Sequence, residues 1–476
     1  MERSRSRARP PDDLRRKRII VCCDGTWLDA DNGVKNGQLL IPSNVTRLSR
    51  AIKAESSDRV PQVVFYQPGV GSMGGIFSRV VGGATGEGLA ENIRDAYNFI
   101  ANNYHMGDEI FLLGFSRGAF TARSVGGFID SLGLLTKEGL PYLSEIFMDW
   151  EQKNNPNYRP KYPNLPFPNK PSLSDPMYQE ELVRRRMTRL DIPIKAVGVF
   201  DTVGSLGIPR IPILEKLGLQ RKAVKELAFF DTSLGNCIEN AFQALALDED
   251  RAAFQPTLWE KTRGNKTNLR QVWFPGVHSN IGGGYDDQEI ANITMAWMVS
   301  QLEPFLDFDP YYIHEQYEAN RKYYLETGQK PRPWSFGEIY NSVTGYYVLA
   351  GKSIRTPGQY VRMNPDTGEP TSKRLRNTRE YVHPSARSRV ELEGPGIQDK
   401  GTYEERALDG YTLVELEPGP DQKSPQFIWK SRSRRRNGEA RKILPESPLW
   451  ETERKLLRTS PKVYKYLLGD DDGPGR

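Results

Sequence analysis

Four short stretches of this 476-residue chain hold residue types that could carry chemistry. They are Asp24-Gly25-Thr26, the pentapeptide Gly114-Phe115-Ser116-Arg117-Gly118, Asp201, and His278. Each follows an apolar run, as expected of residues displayed at the carboxyl ends of buried strands. A serine hydroxyl is a weak nucleophile and needs a base, and a base histidine needs a group to orient it. The types present therefore point to nucleophilic catalysis by a Ser, His and Asp set.

The G-x-S-x-G pattern around Ser116 has little specificity alone. Its context is better: EIFLLGF precedes it as a strand and AFTARSVGGFIDSLGLL follows as a helix. A strand–serine–helix turn is the setting of a nucleophile elbow, where the flanking Gly114 and Gly118 spare a strained turn from side-chain collisions. Arg117 would offer its backbone N–H to an oxyanion, aided by the positive end of the helix dipole.

The chain has four histidines, His105, His278, His314 and His383. Only His278 follows a plausible core strand and enters a glycine-rich loop, GVHSNIGGGY. Asp201, after KAVGVF, is the preferred acid. Asp231, Asp248, Asp250 and the pair Asp286-Asp287 compete with it. The order Ser116, Asp201, His278 is that of the α/β-hydrolases. Gly25 and Thr26, after the first core strand, are candidates for the second oxyanion donor. Asp24-Gly25-Thr26 also matches part of the D-x-D-G-T pattern of phosphatases with an aspartate nucleophile. Cys22 stands where that nucleophile should be, which weakens the reading.

The elements that must position these residues alternate. The order is strand, strand, helix, strand, helix, then a Pro-rich aromatic insertion over about 136–190. Strand, helix, strand and helix follow, with residues 221–247 read as mostly helical. This predicts an α/β fold, α/β-hydrolase-like, with a mostly parallel sheet flanked by helices. The expected organisation is a basic disordered tail at 1–17, a catalytic domain at 18–350 and a C-terminal extension at 351–476. Phe147, Trp150, Tyr158 and Phe167 would let the insertion act as a lid or a lipid-facing element as readily as a packed one.

Bulk properties narrow the function. A net charge of +6 from 66 basic and 60 acidic residues gives no reason to expect nucleic acid. The basic excess is local, in MERSRSRARPPDDLRRKR and KSRSRRR. These suit solvated tails, or else a nuclear-import or anionic-lipid patch. Three cysteines make no disulfide framework, and Cys22 and Cys23 should point to opposite sheet faces. No apolar run reaches membrane-span length. The expected location is cytoplasmic, with the nucleus as an alternative. The runs GVGSMGG and GGATGEG lack phosphate-loop endings and read as flexible loops. No Cys/His cluster has zinc spacing, so neither metal nor cofactor is expected.

Seven blocks in one order carry a wider likeness: IIVCCDGTW, PSNVTRLSRAI, VVFYQPGVGS, IFLLGFSRGAFTARSVGGFI, VGVFDTVGSLGIP, AFQALALDEDRAAFQPTLW and VWFPGVHSNIGGGY. Over about residues 18–302 the chain resembles a family of α/β-hydrolases long catalogued as a domain of unknown function. That family includes the catalytic domain of type VI secretion phospholipase effectors and has many fungal members. The resemblance implies a serine hydrolase with Ser116, Asp201 and His278 as its triad. It also implies an ester or lipid substrate and peripheral membrane contact. The family usually has Asp after the His-Ser pair, where this chain has Asn280. The expected function is hydrolysis of a carboxylic ester through an acyl-enzyme. The alternative is a hydrolase scaffold used for binding.

Overall fold

The computed structural model describes residues 16–25, 34–35, 38–39, 41–69, 86–203, 233–348, 351–364, 370–417, 426–433 and 442–469. Its centre is a seven-stranded sheet. The strands are β1 (Arg18–Cys23), β2 (Gln62–Gln67), β3 (Glu109–Phe115), β4 (Ile194–Phe200), β5 (Asn240–Ala246), β6 (Asn268–Phe274) and β7 (Glu380–Val382). Their spatial order is β7-β6-β5-β4-β3-β1-β2, and every pairing is parallel. The fold is thus α/β-hydrolase-like, a parallel sheet flanked by helices, with insertions. The strand order reverses between β1 and β3, and such a reversal opens a crevice at the carboxyl edge of a parallel sheet.

The sheet is covered on both faces, so its strands are continuous apolar runs whose alternate residues enter different cores. On one face Ile19, Val21, Cys23, Ile110 and Leu112 pack with α2 (Gly86–Asn103) and α3 (Arg117–Leu132). On the other face Ile20, Cys22, Phe111, Leu113 and Phe115 pack with α1 (Asn44–Ala51) and α7 (Glu289–Leu302). Cys22 and Cys23 do point to opposite faces. The wholly buried α7 has no polar stripe, as expected of a helix enclosed all round.

The helical reading of 221–247 needs correction where the chain is described. Residues 240–246 form β5, buried at every position. A seven-residue run with only Asn240 and Gln243 polar has the length of an enclosed strand, and its periodicity alone cannot separate strand from helix. Residues 221–232 lie outside the described residues, as do most of the basic tail, residues 434–436 of KSRSRRR and most of the two glycine runs.

The insertion over 136–190 contains α4 (Leu143–Glu151) and α5 (Pro176–Arg184). Phe147, Trp150 and Phe167 are buried in the first core, and Phe147 and Trp150 pack on Phe128 of α3. Tyr158 is half-buried and donates to Asp149 at 3.0 Å. Phe147, Trp150 and Phe167 thus belong to the core, while Tyr158 is partly exposed. The region beyond 350 contributes β7 to the main sheet, followed by α8 (Pro384–Glu391). It also forms a separate antiparallel sheet of β8 (Tyr411–Leu416), β9 (Gln426–Ser431) and β10 (Ile443–Pro445).

Candidate active site

Ser116 follows β3, Asp201 follows β4, Asp248 and Glu249 come two and three residues after β5, and His278 comes four residues after β6. Adjacent parallel strands therefore bring residues up to 162 positions apart to one edge.

The turn at Ser116 is sharp. Its backbone has φ 57° and ψ −120°, a conformation that costs an L-residue about 1–3 kcal/mol. The Ser116 N–H donates to Phe200 O at 3.0 Å, which ties the turn to the end of β4. The glycines around it are required by close backbone approach. A Cβ on Gly114 would lie 2.5 Å from Gly118 O, and one on Gly118 would lie 2.4 Å from Asp24 O. Arg117 is the first residue of α3, at the positive end of the helix dipole.

His278 opens the short helix α6 (His278–Gly282), in place of the irregular loop expected. Its Nδ1 lies 2.6 Å from Asp201 Oδ2. An ionised carboxylate only accepts, so Nδ1 carries the proton and Nε2 is left as the basic nitrogen. Nε2 is buried with no hydrogen-bond partner among the described residues. The imidazole packs on Phe115, the residue before Ser116, at 4.7 Å between ring centroids, and on Phe254 at 5.0 Å. Gly282 makes room for this packing, because a Cβ there would sit 2.1 Å from the Phe115 ring. Burial holds the His278 pKa below its ordinary value, although Asp201 opposes the shift.

Asp201 is fully buried and also has a positive φ, 39°. Its Oδ1 accepts from Ala246 N at 3.0 Å. Both its oxygens meet Arg355, with Nη1 to Oδ1 at 2.5 Å and Nη2 to Oδ2 at 2.9 Å. Burial would raise the carboxyl pKa. The Arg355 charge and the hydrogen bonds from His278 and Arg355 outweigh it and hold the group well below the usual carboxylate range. Glu249, also fully buried, accepts from the His278 backbone N–H at 3.2 Å and forks with Arg251.

The competing acids have other partners. Asp248 accepts from Gly276 N and Tyr403 Oη, and burial raises its pKa to about 6. Asp250 pairs with Arg406. Asp287 accepts from Glu289 N, Glu338 N and Tyr324 Oη. Asp231 lies outside the described residues. Asn280 is committed at both ends, with Oδ1 accepting from Val277 N and Nδ2 donating to Glu338 O. An aspartate could not make the second bond, so the amide suits this position.

One oxyanion expectation is corrected. The Gly25 N–H donates to Asp24 Oδ1 at 2.7 Å and is taken. Thr26 lies outside the described residues. Asp24 is a structural knot. Its Oδ2 accepts from Ser43, Thr46 and Tyr66, each at 2.7 Å, which commits the carboxylate to structural bonds.

A family model described as "T6SS, Phospholipase effector Tle1-like, catalytic domain" matches residues 17–301. The chain belongs to this family. It is also similar to the uncharacterized protein YEL023C of Saccharomyces cerevisiae. The two are 28% identical over 257 residues, which cover 50% of this chain and 32% of the yeast protein. The chain thus spans about a third of that relative's length. A crystal structure of an uncharacterized protein from Pseudomonas aeruginosa overlaps 67% of this chain and 51% of its own, at 17% identity and a TM-score of 0.32.

Arg355 and Glu249 were missed in the sequence reading. Glu249 left a faint signal, the acidic run Asp248-Glu249-Asp250 just past a strand. Arg355 left none. It stands 154 residues from Asp201, outside the family's matched span and inside no motif. The remaining histidines stand apart. His105 and His314 are exposed, and the buried His383 is held by Ser385 Oγ and Glu453 Oε1, each at 2.8 Å. Among the described residues no group of three His, Cys, Asp or Glu could hold a metal ion, and no helix is long and apolar enough to cross a membrane.

Proposed function

We propose that this protein is a serine hydrolase that cleaves a carboxylic ester of a lipid or phospholipid at the surface of a membrane. The carrying observation is the contact between Asp201 and the His278 imidazole, which packs on the residue preceding Ser116. Ser116 Oγ attacks the ester carbonyl while His278 Nε2 takes the hydroxyl proton. The charge on the former carbonyl oxygen meets the Arg117 N–H at the positive end of α3. Collapse of the tetrahedral intermediate expels the alcohol, which receives the proton from Nε2. Water then hydrolyses the acyl-enzyme by the same proton route. Asp201 fixes the tautomer throughout and balances the imidazolium that forms.

The lipid part of the reading rests on the family's phospholipase effectors. The test is a fluorophosphonate probe on wild type and Ser116→Ala, followed by fatty-acid release from phosphatidylcholine vesicles. Serine-dependent labelling and release are expected. A folded wild type that resists the probe would instead favour a binding scaffold.

A further inference from the structure

Arg355 is fully buried in a stretch with no regular secondary structure, and two backbone links hold that stretch beside the site. Arg251 and Lys352 face each other in an antiparallel bridge, made by Ser353 N donating to Asp250 O at 2.8 Å and Ala252 N donating to Gly351 O at 3.2 Å. The guanidinium then reaches four oxygens. Two belong to Asp201, and the others are Ala246 O at 3.0 Å and Phe254 O at 2.8 Å. Ala246 ends β5, and the ring of Phe254 packs on His278. One side chain therefore ties the acid, a neighbouring strand end and the wall of the imidazole pocket together.

We propose that Arg355, contributed from beyond the family's matched region, is a positioning residue of this centre. It clamps both Asp201 oxygens so that Oδ2 stays on His278 Nδ1, and it neutralises the charge of the acid. The inference rests on the hydrolase reading above.

The electrostatic consequence follows from the groups around the imidazole. Asp201 faces it with Arg355 behind, while Glu249 faces its backbone and forks with Arg251. The other faces are the Phe115 and Phe254 rings, and Tyr347 lies over Arg251. His278 thus sits between two ion pairs, each internally neutral. An unpaired Asp201 would hold a proton on the imidazole more firmly. Arg355 withdraws part of that attraction and keeps His278 a neutral base further into acid pH.

The experiment compares Arg355→Met and Arg355→Lys with wild type, measuring kcat and KM for a p-nitrophenyl ester from about pH 5 to 9. In Arg355→Met, kcat should fall by about 100-fold with KM nearly unchanged, because misaligned groups lose rate rather than binding. The acid limb of kcat/KM should move to higher pH. Arg355→Lys keeps the charge and loses the fork, so its acid limb should stay near wild type with an intermediate kcat. A folded Arg355→Met with an unmoved acid limb and wild-type kcat would overturn the proposal. If Arg355→Met does not fold, Arg355→Lys decides alone, and an unchanged kcat there overturns the clamp. The His278 titration, read by NMR on 13C-histidine protein in a Ser116→Ala background, needs no activity. Absence of Ser116-dependent hydrolysis would remove the hydrolase reading, while this titration would still judge the Arg355 coupling.

Discussion

The carbonyl oxygen of Cys23 lies 2.1 Å from the point where a β-carbon on Gly118 would stand. The first turn of α3 is thus pressed against the end of β1, with only a hydrogen between them. The obstacle is backbone and cannot swing aside. Gly118→Ala should therefore cost about 3 kcal/mol or more of stability. Gly127, in the same helix, is the control. Its Cβ would meet only Trp150, at an ordinary 3.5 Å. Gly127→Ala should be neutral or stabilising by up to about 1 kcal/mol. Urea denaturation of both variants checks the contrast.

The backbone strain at Ser116 gives a second expectation. Replacing Ser116 by Gly relieves a positive φ, whereas replacing it by Ala does not. Both should lose about a thousandfold or more in kcat/KM. Ser116→Gly should nonetheless melt higher than Ser116→Ala, by about 1 kcal/mol of stability. Thermal melts alongside ester hydrolysis separate the two effects.

The pH profile follows from the buried His278. Its ordinary value of 6.5 is lowered in the folded protein, chiefly by burial. The basic form therefore persists below 6.5, and kcat/KM should fall only as pH drops through the lowered value. Stability has the matching sign. The unfolded chain takes up this proton near 6.5 and the folded one does not, so stability is lost as pH falls from 6.5 toward the folded value. His278→Gln should flatten that part of the stability curve, which urea midpoints at several pH values would show.

Asp24 should behave as a structural residue. Asp24→Ala strands the hydroxyls of Ser43, Thr46 and Tyr66 and the Gly25 N–H. A loss of about 2–4 kcal/mol is expected. Phosphate release from p-nitrophenyl phosphate with Mg²⁺ should be no different from that of wild type. An Asp24-dependent phosphatase activity would contradict this assignment.

Much of this was written locally in the chain. Apolar runs ending in Gly114-Phe115-Ser116, Asp201 and His278 mark strand ends, because a sheet covered on both faces needs uninterrupted apolar strands and reserves polar residues for their exits. The helical spacing after Ser116 and the two elbow glycines are equally local. The tertiary structure decided what depends on the order of strands in space. That order set β3 through β6 side by side, so that His278 met Asp201, while Asp248, Asp250 and Asp287 went to other donors. It turned the Gly25 N–H inward to Asp24 and folded Phe147, Trp150 and Phe167 into the core. It also brought Arg355 across 154 residues onto Asp201. A carboxylate's partner in a buried site is whichever cation the chain returns there, and no periodicity or motif records that return.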